Sequence, residues 1–210
     1  MINVLIVEDD PMARKLLEIY INDSEEYKLS QSIESAAMAE LYCRRNPIDL
    51  ILMDVCTAMD ANGLDAAAKI KKSCPHIKII IVTSQPEFSF IERARKAGVE
   101  SFWYKSASAE EIIEGMNITM AGGSVYPDTT PSLRLGEALN VDFTEKELLV
   151  LREVVDGEAD ADIAEKLGMS LRTVKAHIQN MRDKTGFRNR TELAVRVRES
   201  GLVINDYKTE

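Results

Sequence analysis

The stretch that most constrains the fold is residues 49–54, Asp-Leu-Ile-Leu-Met-Asp. Four consecutive apolar residues between acids are typical of a strand that is buried on both faces, as in a parallel sheet. Such a strand does not need the carboxylate of Asp54 in order to fold. In open α/β sheets, ligands and chemistry collect at the carboxyl ends of the strands. The stretch therefore predicts a parallel sheet with a functional group at its edge.

The first 121 residues repeat a strand-then-helix pattern five times. The predicted strands are 3–7, 27–33, 49–53, 76–83 and 100–104. The predicted helices that follow them are 12–21, 34–45, 64–72, 87–97 and 109–121. Five such units predict an α/β domain with a doubly wound, five-stranded parallel sheet covered by helices on both faces.

The rest of the chain has a different pattern. Residues 122–140 contain two prolines and three glycines without sustained periodicity, which predicts a linker. From residue 141 onward the pattern is helical only, beginning with a capping box from Thr144 to Glu147. A short helix, a turn at Gly168 and a basic helix capped by Ser170 follow the helix-turn-helix order. The expected domains are therefore 1–121, a linker 122–140, and an all-α four-helix domain at 141–210.

Charge is distributed unevenly along the chain. The whole chain has a net charge of −9, which by itself argues against a nucleic-acid partner. Between residues 170 and 198, however, eight basic side chains stand against two acidic ones, a net charge of +6. In the basic helix, Lys175, Gln179 and Arg182 share one face, opposite an apolar stripe. This segregation predicts that the second domain binds nucleic acid.

The cysteines and the N-terminus indicate a reducing compartment. Cys43, Cys56 and Cys74 are odd in number and lack C-x-x-C spacing, so we expect neither a disulfide framework nor a zinc site. The N-terminus lacks the regions of a secretory signal, and no apolar run approaches the length of a membrane span. The sequence predicts a cytoplasmic protein.

Charged and polar side chains follow the predicted strand ends. Glu8 and Asp9 come after the first strand, and Asp54 ends the third. Thr83 ends the fourth strand and Lys105 follows the fifth. Three carboxylates at one edge stay ionised only beside a cation, and such hard oxygen ligands suit Mg²⁺. A carboxylate beside a metal, a lysine and a hydroxyl is equipped to accept a phosphoryl group.

These residues, in this order, resemble a known family. Residues 1 to about 121 resemble the receiver domain of bacterial two-component response regulators, through Glu8-Asp9, the strand ending at Asp54, residues 81–84 and Lys105. The resemblance implies the flavodoxin-like strand order 2-1-3-4-5. It also implies that Asp54 accepts phosphate from a sensor histidine kinase. Catalysis would be limited to self-phosphorylation from small phosphodonors and slow autodephosphorylation.

The resemblance also implies roles for individual residues. The implied magnesium ligands are the side chains of Glu8, Asp9 and Asp54 and the backbone carbonyl of Cys56. The implied phosphate-contacting and switch residues are Thr83, Lys105 and the aromatic Phe102. Cys56 and Gln85, two residues beyond the phosphoacceptor and the switch threonine, are expected to tune phosphate lifetime, although both also fit an ordinary surface position.

The helical region resembles a second family. Residues 143–147, 161–168 and 173–191 resemble the LuxR-type DNA-binding domain of NarL/FixJ response regulators. The implied base contacts come from Lys175, Ala176 and Gln179. The implied phosphate contacts come from Thr173, His177, Lys184 and Arg190. A homodimer formed on activation through the helix 191–200 would bind a pseudo-palindromic site in double-stranded DNA.

Two segments depart from the family patterns. Residues 56–63 lack the proline that usually follows the phosphoacceptor and are one residue longer. Residues 157–162 carry acids where the family has polar and basic residues, and these acids repel DNA phosphate.

The sequence predicts a phosphorylation-controlled, DNA-binding transcription regulator. One alternative is a regulator whose receiver is not phosphorylated and serves as a dimerisation or ligand module. Another is a haloacid-dehalogenase-like phosphatase, which shares the aspartyl nucleophile and Mg²⁺. That class carries a second aspartate at the position of Cys56, so its absence argues against this alternative.

Overall fold

The computed structural model describes residues 1–87, 89–105, 108–128, 130–200 and 202–203. Of these, residues 1–84 and 90–128 form one compact unit, and residues 85–89 and 130–203 form the other. Within the described ranges, no helix combines the length and the hydropathy that crossing a lipid bilayer requires.

A five-stranded parallel sheet forms the centre of the first unit. Its strands and those of a small hairpin are β1 (Ile2–Val7), β2 (Tyr27–Ile33), β3 (Leu50–Met53), β4 (Cys56–Thr57), β5 (Ala61–Asn62), β6 (Lys78–Thr83) and β7 (Ser101–Tyr104). The sheet order is β2-β1-β3-β6-β7. Because β4 and β5 form a separate hairpin, the five sheet strands are arranged 2-1-3-4-5 in chain order. The predicted topology is confirmed.

Helices cover both faces of this sheet. They are α1 (Pro11–Asn22), α2 (Ala39–Arg45), α3 (Gly63–Ser73), α4 (Ser89–Ala97) and α5 (Ala109–Met120). Side chains alternate along a strand, so Val4 and Ile6 of β1 pack on one face with Leu17 of α1 and Met116 of α5. Leu5, which points to the other face, is also fully buried. Burial on both faces explains why β3, at the centre of the sheet, is apolar throughout.

The helix predicted at 34–45 begins later than expected. Residues 36–38 form a 3-10 turn, and α2 starts at Ala39. The Ser35 hydroxyl accepts a hydrogen bond from the Ala37 amide, and the Ala36 amide donates to Thr57 Oγ1 at 2.9 Å. These side-chain bonds replace α-helical bonding at the start of the segment.

The second unit is built on four helices. These are α6 (Glu145–Val155), α7 (Asp160–Lys166), α8 (Leu171–Thr185) and α9 (Arg190–Ser200). The Thr144–Glu147 capping box begins α6, and Gly186 ends α8 in the left-handed conformation. The predicted four-helix arrangement is confirmed.

The segment predicted as a linker, 122–140, has structure at both ends. Residues 124–126 lie along β7, where the Phe102 amide donates to the Val125 carbonyl at 2.8 Å. Farther on, β8 (Arg134–Leu135) and β9 (Ala138–Leu139) form a hairpin whose Leu135 and Ala138 join the core of the second unit. Gly136 turns this hairpin with φ +59°, and a Cβ there would lie 2.0 Å from the Thr185 carbonyl oxygen. Strands of two residues are too short to produce a periodic pattern, which is why the sequence does not predict them.

Candidate functional site

Parallel pairing brings the three predicted carboxylates together. Val7 of β1 is in register with Met53 of β3, so Glu8 and Asp54 both lie one residue beyond the paired strands. The Asp54 amide donates to the Val7 carbonyl at 2.9 Å, which continues the ladder to the sheet edge. One oxygen each from Glu8, Asp9 and Asp54, the acidic trio, lies within 4.8 Å of the others.

The next two strands deliver a cation and a hydroxyl to the same edge. The Lys105 amide donates to the Thr83 carbonyl at 2.9 Å, which extends the β6–β7 pairing. Lys105 Nζ lies 2.7 Å from Asp54 Oδ2 and 2.7 Å from Glu8 Oε2. The Thr83 side chain hydrogen-bonds to Asp54, and Asp54 Oδ1 accepts from the Val55 amide at 2.6 Å. The structure thus brings Glu8, Asp9, Asp54, Thr83 and Lys105 into one site.

Burial shifts the pKa values of the ionisable groups in this cluster. Glu8 and Asp54 are only 1% and 6% exposed, whereas Asp9 is open to solvent. Burial, together with the negative charge of Asp54, raises the pKa of Glu8 to about 7. Burial also raises the pKa of Asp54, against the opposing effect of Lys105. Burial alone would lower the pKa of Lys105, but the Asp54 and Glu8 carboxylates outweigh it, and the pKa of Lys105 lies above its ordinary value.

The donor set of the acidic trio fits Mg²⁺. Carboxylate oxygens are the hard ligands that this ion prefers, and Mg²⁺ keeps several waters when it binds only one or two carboxylates. The exposed side of Asp9 leaves room for those waters. A divalent cation would also offset the repulsion that raises the pKa of Glu8.

Arg14 is a residue at this site that the sequence analysis missed. Its Nη1 donates to the Glu8 carbonyl at 2.9 Å, and its Nη2 lies 3.2 Å from Glu34 Oε1. The guanidinium thus holds the backbone of the acidic turn in place. Its position one turn into α1, behind the capping residue Asp10, is the only signal the sequence offers for this role.

The unusual loop 56–63 forms the β4–β5 hairpin beside the acidic trio. Thr57 Oγ1 donates to the Ala61 carbonyl at 2.7 Å and accepts from the Ala36 amide, so it joins the hairpin to the 3-10 turn that precedes α2. Met59 and Asp60 at the tip have φ values of 65° and 54°. Gly63 passes so close to the end of β3 that a Cβ would lie 1.9 Å from the Asp54 carbonyl oxygen. The chain therefore needs glycine at position 63.

The two residues expected to tune phosphate lifetime are placed differently. Cys56 is half-buried in β4, and burial together with the charges of Asp54 and Asp9 raises the pKa of its thiol to about 12. The thiol therefore lies within the field of the acidic trio and stays neutral. Gln85 is half-buried and groups with the second unit. Both roles stay predictions.

The predicted aromatic switch, Phe102, is fully buried in β7. Its ring centroid lies 5.3 Å from that of Tyr104 and 6.3 Å from that of Tyr126. Tyr126 is fixed in turn, since its hydroxyl donates to the Val99 carbonyl at 2.8 Å and Arg95 lies over its ring. Reorientation of Phe102 would therefore disturb the segment that follows α5.

Helix α8 divides into a buried and an exposed face as predicted. Val174, Ile178 and Met181 are buried in the core of the second unit. The predicted base-contacting residues Lys175, Ala176 and Gln179 are exposed. Of the predicted phosphate-contacting residues on this helix, Thr173 is exposed next to the capping Ser170, and His177 is half-buried.

Lys184 and Arg190, which were also predicted to contact phosphate, have partners inside the second unit. Lys184 Nζ donates to Glu147 Oε2 at 2.7 Å and to the Asp142 carbonyl at 2.8 Å. Arg190 donates to the Glu158 carbonyl, and its Nε lies 3.4 Å from Asp160 Oδ1. A phosphate contact by either residue would compete with these bonds. Their role in DNA binding stays a prediction.

The sheet edge and the helix-turn-helix define a class of two-domain signalling proteins, in which a receiver is joined to a DNA-binding domain. Residues 4–117 match the model of the response regulator receiver domain. Residues 141–197 match the model of bacterial regulatory proteins of the luxR family. The chain belongs to the response regulator family and carries a LuxR-type DNA-binding domain, and the expected resemblance is confirmed.

A relative and solved structures of the same fold cover nearly the whole chain. The response regulator protein VraR of Staphylococcus aureus is 29% identical over 207 residues, covering 96% of this chain and 99% of VraR. The RcsB–DNA complex superposes with a TM-score of 0.61 at 18% identity, covering 96% of this chain and 99% of that one. RcsB of Salmonella enterica serovar Typhimurium, bound to the promoter rprA with the phosphomimetic BeF3−, gives a TM-score of 0.60 at 17% identity, covering 97% and 100%.

Proposed function

We propose that this response regulator is a transcription regulator whose DNA binding is switched by phosphorylation of Asp54. The observation that carries the proposal is the buried carboxylate of Asp54, held 2.7 Å from Lys105 Nζ and hydrogen-bonded to Thr83 within the acidic trio. A structural carboxylate would need one partner, whereas this one has a lysine, a hydroxyl and a backbone amide at an edge where chemistry collects.

The chain's own groups suit attack on phosphorus. A carboxylate oxygen of Asp54 forms the new bond to phosphorus as the bond from phosphorus to the donor atom breaks, and the donor, a phosphohistidine imidazole or an acyl phosphate, leaves with the electron pair. Lys105 and the Thr83 hydroxyl, which already donate hydrogen bonds to the Asp54 carboxylate, would then bind phosphoryl oxygens. Glu8 and Asp9, with Asp54 and the Cys56 carbonyl, would hold Mg²⁺, which when bound offsets charge on those oxygens.

The output we propose is homodimerisation on DNA. Movement of Thr83 toward a phosphoryl group opens space for Phe102, whose ring contacts Tyr126 in the segment leading to the second unit. Helix α8 would read a pseudo-palindromic duplex, with α9 as the dimer contact. Solved structures of RcsB include two dimers bound to two parallel DNAs, which supports this output by analogy. A sensor histidine kinase is the proposed phosphate source, and the cytoplasm is the proposed location.

The proposal is tested by intact-mass spectrometry after incubation with acetyl phosphate and Mg²⁺. The parent protein is compared with Asp54→Asn, which keeps the shape but removes the nucleophile, and with Asp60→Asn in the exposed hairpin as a control. The expected result is one added phosphate on the parent and on Asp60→Asn and none on Asp54→Asn. Gel shifts with duplex DNA should show tighter binding only for the two phosphorylated proteins.

Equal labelling of Asp54→Asn would contradict Asp54 as the phosphoacceptor. Absence of labelling with retained DNA binding would instead support a regulator that works without phosphorylation. In that case the β4–β5 hairpin, the part of the receiver that departs most from the family pattern, would be the first segment to vary.

A further inference from the structure

The exposed face of α8 carries a chain of hydrogen bonds that the proposed function does not use. Gln179 Nε2 donates to Asp183 Oδ1 at 2.7 Å, one helical turn farther on. Arg182 Nη1 donates to Gln179 Oε1 at 3.1 Å. Arg182 also donates through Nη2 to the backbone carbonyl of Arg188, between α8 and α9. Both ends of the Gln179 amide are therefore held, and the network is anchored to the backbone.

The network fixes the direction of the Gln179 amide. A carboxylate accepts only, and a guanidinium donates only, so Asp183 binds the NH₂ end and Arg182 binds the oxygen. Bonds to charged partners are stronger than neutral ones, and glutamine-to-aspartate pairs four residues apart are favourable on helices. One N–H and one oxygen lone pair of the amide remain available. These are the two groups that a glutamine uses to pair with N7 and the N6 amino group of adenine in the major groove.

We propose that Asp183 is a positioning residue for base recognition: it orients Gln179 for an adenine of the DNA site. The inference rests on the proposed DNA-binding function and adds to it a residue that determines specificity. Asp183 is exposed and is one of only two acids between residues 170 and 198. A carboxylate next to DNA phosphates weakens binding to every sequence, so electrostatics alone gives no reason for an acid on this face. A role in orienting Gln179 supplies one.

A merely structural role for Asp183 makes a different prediction. If Asp183 only stabilises α8, its removal lowers stability slightly and leaves the ranking of DNA sequences unchanged. If it acts only through charge, any neutral substitution raises affinity for all sequences alike. Of the three roles, only a positioning role changes the base preference at one base pair. The preference at that base pair, rather than the affinity, is therefore the quantity to measure.

The experiment uses the full chain with acetyl phosphate and Mg²⁺, and a duplex library with a randomised central segment. Parallel selections are run with the parent protein, Gln179→Ala, Asp183→Ala and Asp183→Asn. Asparagine keeps an acceptor oxygen without the charge, so it is the matched control for alanine. Dissociation constants are then measured for the selected duplex and for duplexes changed at single base pairs.

We expect the parent to prefer adenine at one position of each half-site by about tenfold. Gln179→Ala and Asp183→Ala should both reduce that preference to about twofold or less at the same position, while Asp183→Asn retains it. The inference is overturned if Asp183→Ala keeps the parent preference, if it changes a different position from Gln179→Ala, or if Asp183→Asn behaves as Asp183→Ala does. A parent that binds no duplex would instead overturn the proposed DNA-binding function, and the inference with it.

Discussion

Glu147 shows how much a single buried carboxylate can contribute in the second unit. Its side chain is 3% exposed, accepts from the Thr144 amide at 2.8 Å and from Lys184 Nζ at 2.7 Å. Burial acts to raise its pKa, but the bonds to Lys184 and Thr144 outweigh burial, so the pKa of Glu147 lies below its ordinary value. The ionised form therefore stabilises the folded unit.

We expect Glu147→Gln to lower the free energy of unfolding of the second unit by about 1 to 2 kcal/mol at pH 7. Because the folded-state pKa is lowered, this contribution is present above the pKa of the unfolded chain and is lost as the pH falls through the folded-state pKa. The difference between parent and variant should thus shrink in acid. Urea unfolding at a series of pH values measures it, with exposed Glu145→Gln in the same helical turn as the control. A difference that stayed constant down to acid pH would contradict the role of the charge.

At this scale the sequence predicted which residues meet in the receiver but not their other partners. Glu8, Asp54 and Lys105 could be placed together because parallel strands end at one edge. Lys184 and Arg190 were assigned to phosphate from their charge and family position alone. Whether a cation on a helix surface already has a carboxylate partner depends on distant residues, such as Glu147, which local patterns do not reveal.

At the scale of elements, the β4–β5 hairpin is the largest departure from the expected fold. Its tip residues, Met59 and Asp60, adopt the left-handed conformation, which side chains other than glycine rarely do. Thr57 pairs with Ala61, so the loop has three residues, and three-residue hairpin loops normally carry glycine at the left-handed position. The sequence Met-Asp therefore gave no turn signal, and only the altered length of the loop marked it.

The strain at this tip can be measured. Met59 is 78% exposed, so its side chain contributes little packing. The left-handed conformation costs a non-glycine residue about 1 to 2 kcal/mol, and glycine costs about 0.5 to 1 kcal/mol in unfolded-state entropy. We expect Met59→Gly to stabilise the first unit by about 0.5 kcal/mol in chemical unfolding. Ala58→Gly, at a position with ordinary φ, should destabilise it, and the same sign for both variants would refute the argument.

The amino end of α7 is the second element with a testable consequence. Asp160 lies in its first turn, where an acid suits the helix dipole. It also forms an ion pair with Arg190, a residue that was predicted to contact phosphate. Asp160→Asn should remove the ion pair of Arg190, although not its hydrogen bond to the Glu158 carbonyl, and raise DNA affinity by about three- to tenfold. Exposed Asp162→Asn removes the same charge from the same turn, and it should give a smaller gain. Fluorescence anisotropy with a labelled duplex measures both, and equal gains would show that Arg190 is not involved.

At the scale of the whole molecule, the two patterns in the sequence correspond to two separate units. Strand-helix alternation predicted the first unit and its strand order, because right-handed crossovers leave few ways to arrange five parallel strands. Helical periodicity predicted the second. Parts of residues 122–140 contact β7 and the core of the second unit, and because these contacts are tertiary, no local periodicity in the sequence predicts them.

The uneven charge of the chain leads to a prediction about salt. A protein that neutralises DNA phosphates releases counterions, so the logarithm of its affinity falls linearly with the logarithm of the salt concentration, by about one unit of slope for each phosphate contact. Although the whole chain has a net charge of −9, the segment 170–198 alone should set this slope. We expect Lys175→Ala, which removes an exposed cation of α8, to reduce the slope by about one if that lysine also contacts phosphate, and to leave it unchanged if it contacts only bases. Lys28→Ala, an exposed lysine of the first unit, should leave the slope at the parent value, so a reduced slope for Lys28→Ala would mean that the first unit also contributes to the DNA interface.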